Sequence, residues 1–390
     1  MLSQRVQVLS ESLTMAITAL ARQMKAEGKD VLSFSAGEPD FETPEVIKQA
    51  AIKAIQEGNS KYTAVPGTPE VLQAIKAKLQ KENGLTYATS DIITNVGAKH
   101  SLFNVFQAIL DHGDEVIIPA PYWVTYPEIV KYSGGIPVYI DTDDSTEFKI
   151  TPEQLKNAIT SKTKALIINT PSNPTGSVYT KEEIIALATV LKGTDVLVIS
   201  DEMYEKLMYD GTIFTSFASV SDDMYQRTIT INGLSKSVAM TGWRFGYLAT
   251  PIKELTTAMK NLQSQSTSNI NSITQKAAIP ALLGEADEAI EMMRQAFERR
   301  RDIGFKMFNA IDGLSVVKPS GAFYLFVNFK ALTDDSSVEF CKKLLEQKGV
   351  ALVPGAGFGT EGYFRFSFAT DEISIIDGIN RIADFTKNYK

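Results

Sequence analysis

Residues 228–247 read TITINGLSKSVAMTGWRFGY, and the order of residue types along them decides the fold. Alternating Thr and Ile at 228–231 has the β-branched composition of a strand covered on both faces. The pattern breaks into Ser235-Lys236-Ser237 and resumes as a second short run at 246–250. Upstream, further β-rich runs lie at 91–96, 115–119, 137–140, 165–169 and 196–200, separated by helical patterns such as 101–110 and 181–191. Strands alternating with helices predict an α/β fold whose sheet is mixed but mostly parallel, flanked by helices. Helical patterns follow from 253 to 311, interrupted near Asn269 and Gly284. Strands at 323–327, 350–353 and 363–368, with helices at 337–348 and 372–386, predict a smaller α/β domain. The expected division is an N-terminal segment at 1–44 that joins the small domain and the lid, a large domain at 45–285, and the small domain at 286–390.

The polar residues of interest fall where the runs end. VISDEMY places Asp201 just past one run and Tyr204 three residues on; NTPSNPTG carries Asn173; NVGAKHS turns into a helix; the opening stretch carries Lys236 and Arg244. Open parallel sheets bind ligands outside the carboxyl ends of their strands, so these groups converge on one crevice. Their chemistry is complementary. A lysine amine forms an imine with an aldehyde cofactor. A carboxylate facing a ring nitrogen keeps it protonated, so the ring draws electrons. The helix start at Ala98–Lys99, with Arg244, can hold a phosphate. Asn173 and Tyr204 can hydrogen-bond a phenolic oxygen, and Trp123 offers a face for stacking. Singly, each has an ordinary reading: Lys236 a solvated charge, Asp201-Glu202 a helix N-cap pair, NPTG a turn, Trp123 a core aromatic, Arg244 a surface ion pair. Their joint order is what independent surface residues lack.

The motifs AGEPDF (36–41), KYTAVPG (61–67), VGAKHSLFN (96–104), PYWVTYPE (121–128), PSNPTG (171–176), SDEMYEKL (200–207), SKSVAMTGWRFGY (235–247), PSGAFY (319–324) and FRFSFA (364–369) run nearly the length of the chain. With them the sequence resembles the class I aminotransferases of pyridoxal-phosphate (PLP) fold type I, in the bacterial aspartate aminotransferase subgroup typified by thermophile enzymes. The resemblance implies Lys236 as imine lysine and proton carrier, Asp201 as partner of the ring nitrogen, Tyr204 and Asn173 on the phenolic oxygen, and Trp123 as the stacked aromatic. It implies a phosphate cradle of Gly97, Ala98, Lys99, Ser235 and Arg244, completed by Tyr62 of a neighbouring subunit, hence a homodimer with shared sites. Arg365 and Gly37 match the grip on the substrate α-carboxylate. Lys99, with Ser12 and Thr14 of the N-terminal segment, matches the site for its acidic side chain. The implied reaction moves the amino group of L-aspartate to 2-oxoglutarate by a ping-pong route through Lys236. Two departures stand out. Gly233 occupies a position where many relatives place a phosphate-binding serine, with Ser235 the substitute. VLSESLT puts Ser10 and Glu11 where many relatives have a basic residue and proline.

Other features narrow the field. A net charge of -7 is not a nucleic-acid footprint. One cysteine, Cys341, excludes an internal disulfide framework, and two histidines, His100 and His112, offer no metal cluster. No apolar run reaches the ~18 residues of a membrane span and no signal peptide pattern is present, which places the expected enzyme in the cytoplasm. The glycine-rich VALVPGAGFGT (350–360) leads into another strand pattern, whereas a dinucleotide loop would open a helix. The alternatives are an aminotransferase pairing glutamate with prephenate, aromatic or alanine partners, a PLP-dependent lyase, and a PLP-binding regulator without turnover.

Overall fold

A computed structural model describes residues 1–10, 13–387 and 389, the side chains of 13–15 excepted. All seven strands expected between 91 and 250 form, as β1 Ile92–Val96, β2 Glu115–Ala120, β3 Ile136–Asp141, β4 Thr163–Asn169, β5 Leu197–Asp201, β6 Thr228–Gly233 and β7 Phe245–Ala249. They make one sheet in the order β1-β7-β6-β5-β4-β2-β3. β6, β5, β4, β2 and β3 pair in parallel, while β7 runs antiparallel to both β6 and β1. Every residue of β6 and β7 is buried, as strands covered on both faces require, whereas Ile140 is the one buried residue of the edge strand β3.

Local chemistry fixes the helix ends. Helix Lys181–Leu191 starts at a capping box: Glu183 N–H donates to Thr180 Oγ1 at 3.2 Å, and Thr180 N–H to Glu183 Oε2 at 2.8 Å. Helix Pro69–Asn83 has Pro at its first position, Thr68 as N-cap and left-handed Gly84 at its end.

The C-terminal third forms a four-stranded antiparallel sheet in the order Val353–Pro354, Tyr363–Ser367, Tyr324–Asn328, Ser315–Val316. The single strand expected at 350–353 is two: Val350–Ala351 pairs in parallel with Leu32–Ser33, and Val353 turns to the larger sheet. The early chain is thereby tied to the C-terminal part. One apolar cluster spans both sheets, from Ile199 and Ile231 to Phe364 and Phe366.

Candidate active site

The carboxyl ends of β1, β2, β4, β5 and β6 lie on one rim of the large sheet. Because β7 is antiparallel, its amino end lies there too, and Arg244, immediately before it, reaches the same rim from the opposite chain direction. The sequence suggested carboxyl ends alone; strand polarity supplies the sixth edge. The rim opens on a cleft of about 820 Å3 whose wall carries Gly37, Ala98, Lys99, Trp123, Asn173, Asp201, Tyr204, Ser235, Lys236, Arg244 and Arg365.

Asp201 closes β5 and is buried. The Tyr126 hydroxyl donates to its Oδ2 at 2.7 Å, and Met203 N–H to Oδ1 at 3.3 Å. Burial pushes its carboxyl up to about 6, against the pull of the Tyr126 and Met203 bonds and the Lys236 charge. Glu202, one residue on, turns to the reverse face of the sheet, as strand alternation requires. There Ser200 and Ser216 hydroxyls donate to its Oε1 at 2.8 and 2.6 Å, and its Oε2 has no partner among the described residues. Neither have the hydroxyls of Thr228, Thr230 and Tyr87, the two threonines sharing one face of β6. The neighbouring ammonium groups are already matched, Lys78 by Glu205 and Lys206 by Glu82. Burial and the Glu205 charge push the Glu202 carboxyl up to about 7.

Lys236 sits in the turn beyond β6, its Nζ donating to the Gly37 carbonyl oxygen. Burial, aided by the Arg365 and Arg244 charges, brings its amine down to about 8, against the opposing pull of Glu38 and Asp201. The phosphate-sized end of the cleft is built where β1 meets helix Ala98–Ile109. Gly97, at φ 76, caps that helix, so the amides of Ala98 and Lys99 belong to the unpaired first turn. A Cβ on Gly97 would lie 2.9 Å from Arg244 Cζ and closer still to Nη2. Arg244 is itself left-handed at φ 57, and its guanidinium donates to Thr241 and Val96 carbonyls at 2.9 and 3.4 Å. Glycine is therefore required to let a guanidinium lie against a helix N-terminus, a pairing of positive groups that suits an anion. Lys99 Nζ stands 4.8 Å over the Trp123 ring, its ammonium pulled below the usual range by partial desolvation and Arg244.

Arg365, on the second sheet, is buried. It donates from Nη1 to Asn173 Oδ1 at 2.9 Å and from Nη2 to the Ser35 carbonyl at 2.7 Å, while its Nε has no partner. With Oδ1 of Asn173 engaged, the amide end of that side chain is the one that can serve an acceptor in the cleft. Tyr204 and Tyr324 hydroxyls meet at 2.8 Å, and the Arg365 guanidinium lies 4.4 Å over the Tyr324 ring.

Tyr62 is 93% exposed and stands outside this cleft. Ser12 lies outside the described residues, as does the side chain of Thr14. Tyr126, Tyr324, Ala356 and Gly357 were missed at the sequence level. Tyr126 lies one helical turn after Trp123 within PYWVTYPE, and its ring meets Trp123 edge-on at 5.5 Å; that spacing was its signal. Tyr324 ends PSGAFY. Ala356 and Gly357, in the glycine-rich run, form a 3-10 turn that lines the cleft. No α-helix follows that run, consistent with rejecting a dinucleotide loop.

A part-buried lysine with a lowered pKa, a buried carboxylate, an anion cradle and an arginine with an orphaned N–H can together hold a phosphate-bearing aromatic aldehyde and an amino acid. The family model for class I and II aminotransferases matches residues 29–382, and the chain belongs to that family. It is 50% identical over 388 residues to the aspartate aminotransferase of Geobacillus stearothermophilus, covering 98% of each chain. It is 49% identical over 392 residues to that of Bacillus subtilis, covering 100% of this chain and 99% of the other. The structure of the Thermus thermophilus aspartate aminotransferase with maleate superimposes with a TM-score of 0.94 at 43% identity, covering 98% of this chain and 99% of that one.

Proposed function

We propose that this chain is a PLP-dependent aminotransferase that moves the amino group of L-aspartate to 2-oxoglutarate, yielding oxaloacetate and L-glutamate in two half-reactions. The observation that carries it is the convergence of Lys236, Asp201 and Arg365 on one cleft. The residues fit the cofactor: only a glycine at 97 lets the Arg244 guanidinium lie against the unpaired Ala98 and Lys99 amides, and Asp201 and Lys236 are the acid and amine such a ring and aldehyde need. When bound, PLP supplies an electrophilic aldehyde and a cationic ring that accepts an electron pair. Asp201 would hold the proton at the ring nitrogen, its burial strengthening the charge pairing. Arg244 and the Ala98 and Lys99 amides would hold the phosphate, with Ser235 at the same wall. Trp123 would cover the ring, and Tyr204 and the Asn173 amide would hold the phenolic oxygen.

Arg365 would orient the substrate by its α-carboxylate, with the Gly37 backbone at the same wall of the cleft. With a pKa near 8, Lys236 is part neutral at physiological pH and can take the Cα proton and return it elsewhere. Lys99, with Ser12 and Thr14, would receive the side-chain carboxylate; a flexible ammonium reaches both aspartate and the longer glutamate. Tyr62, exposed on its own chain, would complete the phosphate site of a second copy, making a homodimer with shared sites. Residues 45–285 would form the cofactor domain and 1–44 with 286–390 the part that closes on substrate, in a cytoplasmic enzyme. No helix among the described residues is long and apolar enough to cross a membrane. The test is a single half-reaction. Adding L-aspartate to the PLP-loaded protein should bleach its visible band and release one oxaloacetate per site. Release of ammonia, or bleaching by alanine but not aspartate, refutes the assignment.

A further inference from the structure

Tyr324 opens strand Tyr324–Asn328 of the second sheet, and Tyr204 follows β5 of the first. Both are buried, and their hydroxyls meet at 2.8 Å. A tyrosine hydroxyl has one proton to donate and lone pairs to accept with. In the functional reading above, on which this inference rests, the Tyr204 proton goes to an acceptor in the cleft. The contact then has one polarity left: Tyr324 donates and Tyr204 accepts. Two contacts surround the Tyr324 side chain. The Arg365 guanidinium lies 4.4 Å over its ring; burial raises the Tyr324 hydroxyl above its ordinary value, and the Arg365 charge offsets part of that rise. The hydroxyl is also confined, since a Cβ on Gly37 would lie 3.0 Å from it.

We propose that Tyr324 is a positioning residue that turns the Tyr204 proton into the cleft, strengthens it as a donor, and floors the carboxylate-binding Arg365. One side chain of the second sheet thus sets the contact to the cofactor's phenolic oxygen and the support of the substrate clamp. Hydrogen bonds in series polarise one another, so losing the first weakens the second. With a cofactor bound, a weaker Tyr204 would withdraw less charge from its phenolic oxygen, and the Lys236 nitrogen would hold its proton more tightly.

The readout is the pH midpoint of the visible absorbance of resting, substrate-free holoenzyme. Tyr324→Phe removes the hydroxyl and keeps the ring. It should raise the midpoint by about 0.1–0.7 pH unit, which is about 10–30% of a charge-assisted hydrogen bond, and leave KM for the amino donor unchanged. Tyr324→Leu removes both and should also raise KM. In a Tyr204→Phe background, Tyr324→Phe should add no further shift, because the relay has lost its second member. An unchanged midpoint in Tyr324→Phe, or a full shift persisting without the Tyr204 hydroxyl, overturns this proposal alone. A wild-type protein that takes up no lysine-bound cofactor overturns the functional reading and this proposal together.

Discussion

Replacing Glu202 by glutamine tests whether a buried carboxyl on the reverse face of the sheet is neutral. Lys78 and Lys206 are paired with Glu205 and Glu82, so the Lys78 charge offsets only part of the cost of burying Glu202. Its pKa rises from the ordinary 4.5 to about 7, chiefly by burial. The sign follows from proton counts. Below pH 4.5 folded and unfolded chains both carry the proton. Between 4.5 and 7 the unfolded chain has released it and the folded chain has not, so stability falls as pH rises across that window. Above 7 the loss is complete, at about 3 kcal/mol for a difference of this size, at ~1.4 kcal/mol per pH unit. Glutamine is the isostere of the neutral acid and has no such loss. Its NH2 takes the place of Oε2, which has no partner among the described residues. Thermal unfolding of both proteins at pH 5 and pH 8 should show nearly equal Tm at the lower pH. At the higher pH the variant should be ahead by about 3–6 °C, scaling the usual per-kcal shift down to this chain length. The other groups that face this site are Lys78, Glu82, Glu205, Lys206 and Tyr247, with Asp91 near Tyr87, and they are common to both proteins, so the difference isolates Glu202. A variant less stable at pH 8 than wild type by as much as at pH 5 would mean an ionised, well-solvated Glu202, and the charge accounting would be wrong.

Lys236→Ala should lower turnover by at least about two to four orders of magnitude, the usual loss for a proton-transfer group, and abolish the borohydride-fixed cofactor adduct seen by mass spectrometry; an adduct on another lysine refutes the assignment. Gly97→Ala should weaken cofactor binding about 10–100-fold, since the new methyl displaces the Arg244 guanidinium from the helix start; titration of the apoprotein with PLP decides, and normal affinity would place the phosphate elsewhere. Lys99→Ala should raise KM for aspartate and 2-oxoglutarate by about tenfold or more while sparing alanine and aromatic donors; equal losses for acidic and neutral donors would assign Lys99 to the phosphate or to folding.

Much of this protein was legible in the chain because the signals are local. β-branched runs fixed the seven strands to within a few residues, and Thr180 with Glu183 fixed a helix start, since periodicity and capping depend on residues a turn apart. The strand-end motifs placed Asp201, Lys236 and Asn173 at the mouth of a sheet for the same reason. What only the tertiary structure decided depends on groups far apart in sequence. The reversed polarity of β7, set by its pairing with β6 and β1, brings Arg244 to the rim. Tyr126 finds Asp201 across 75 residues and Tyr324 finds Tyr204 across 120. Glu202 reads like its neighbour Asp201 in the sequence, yet strand alternation sends it to the other face. There burial, only partly offset by the Lys78 charge, makes it a different acid, because the cost of a charge is set by the surroundings that folding assembles.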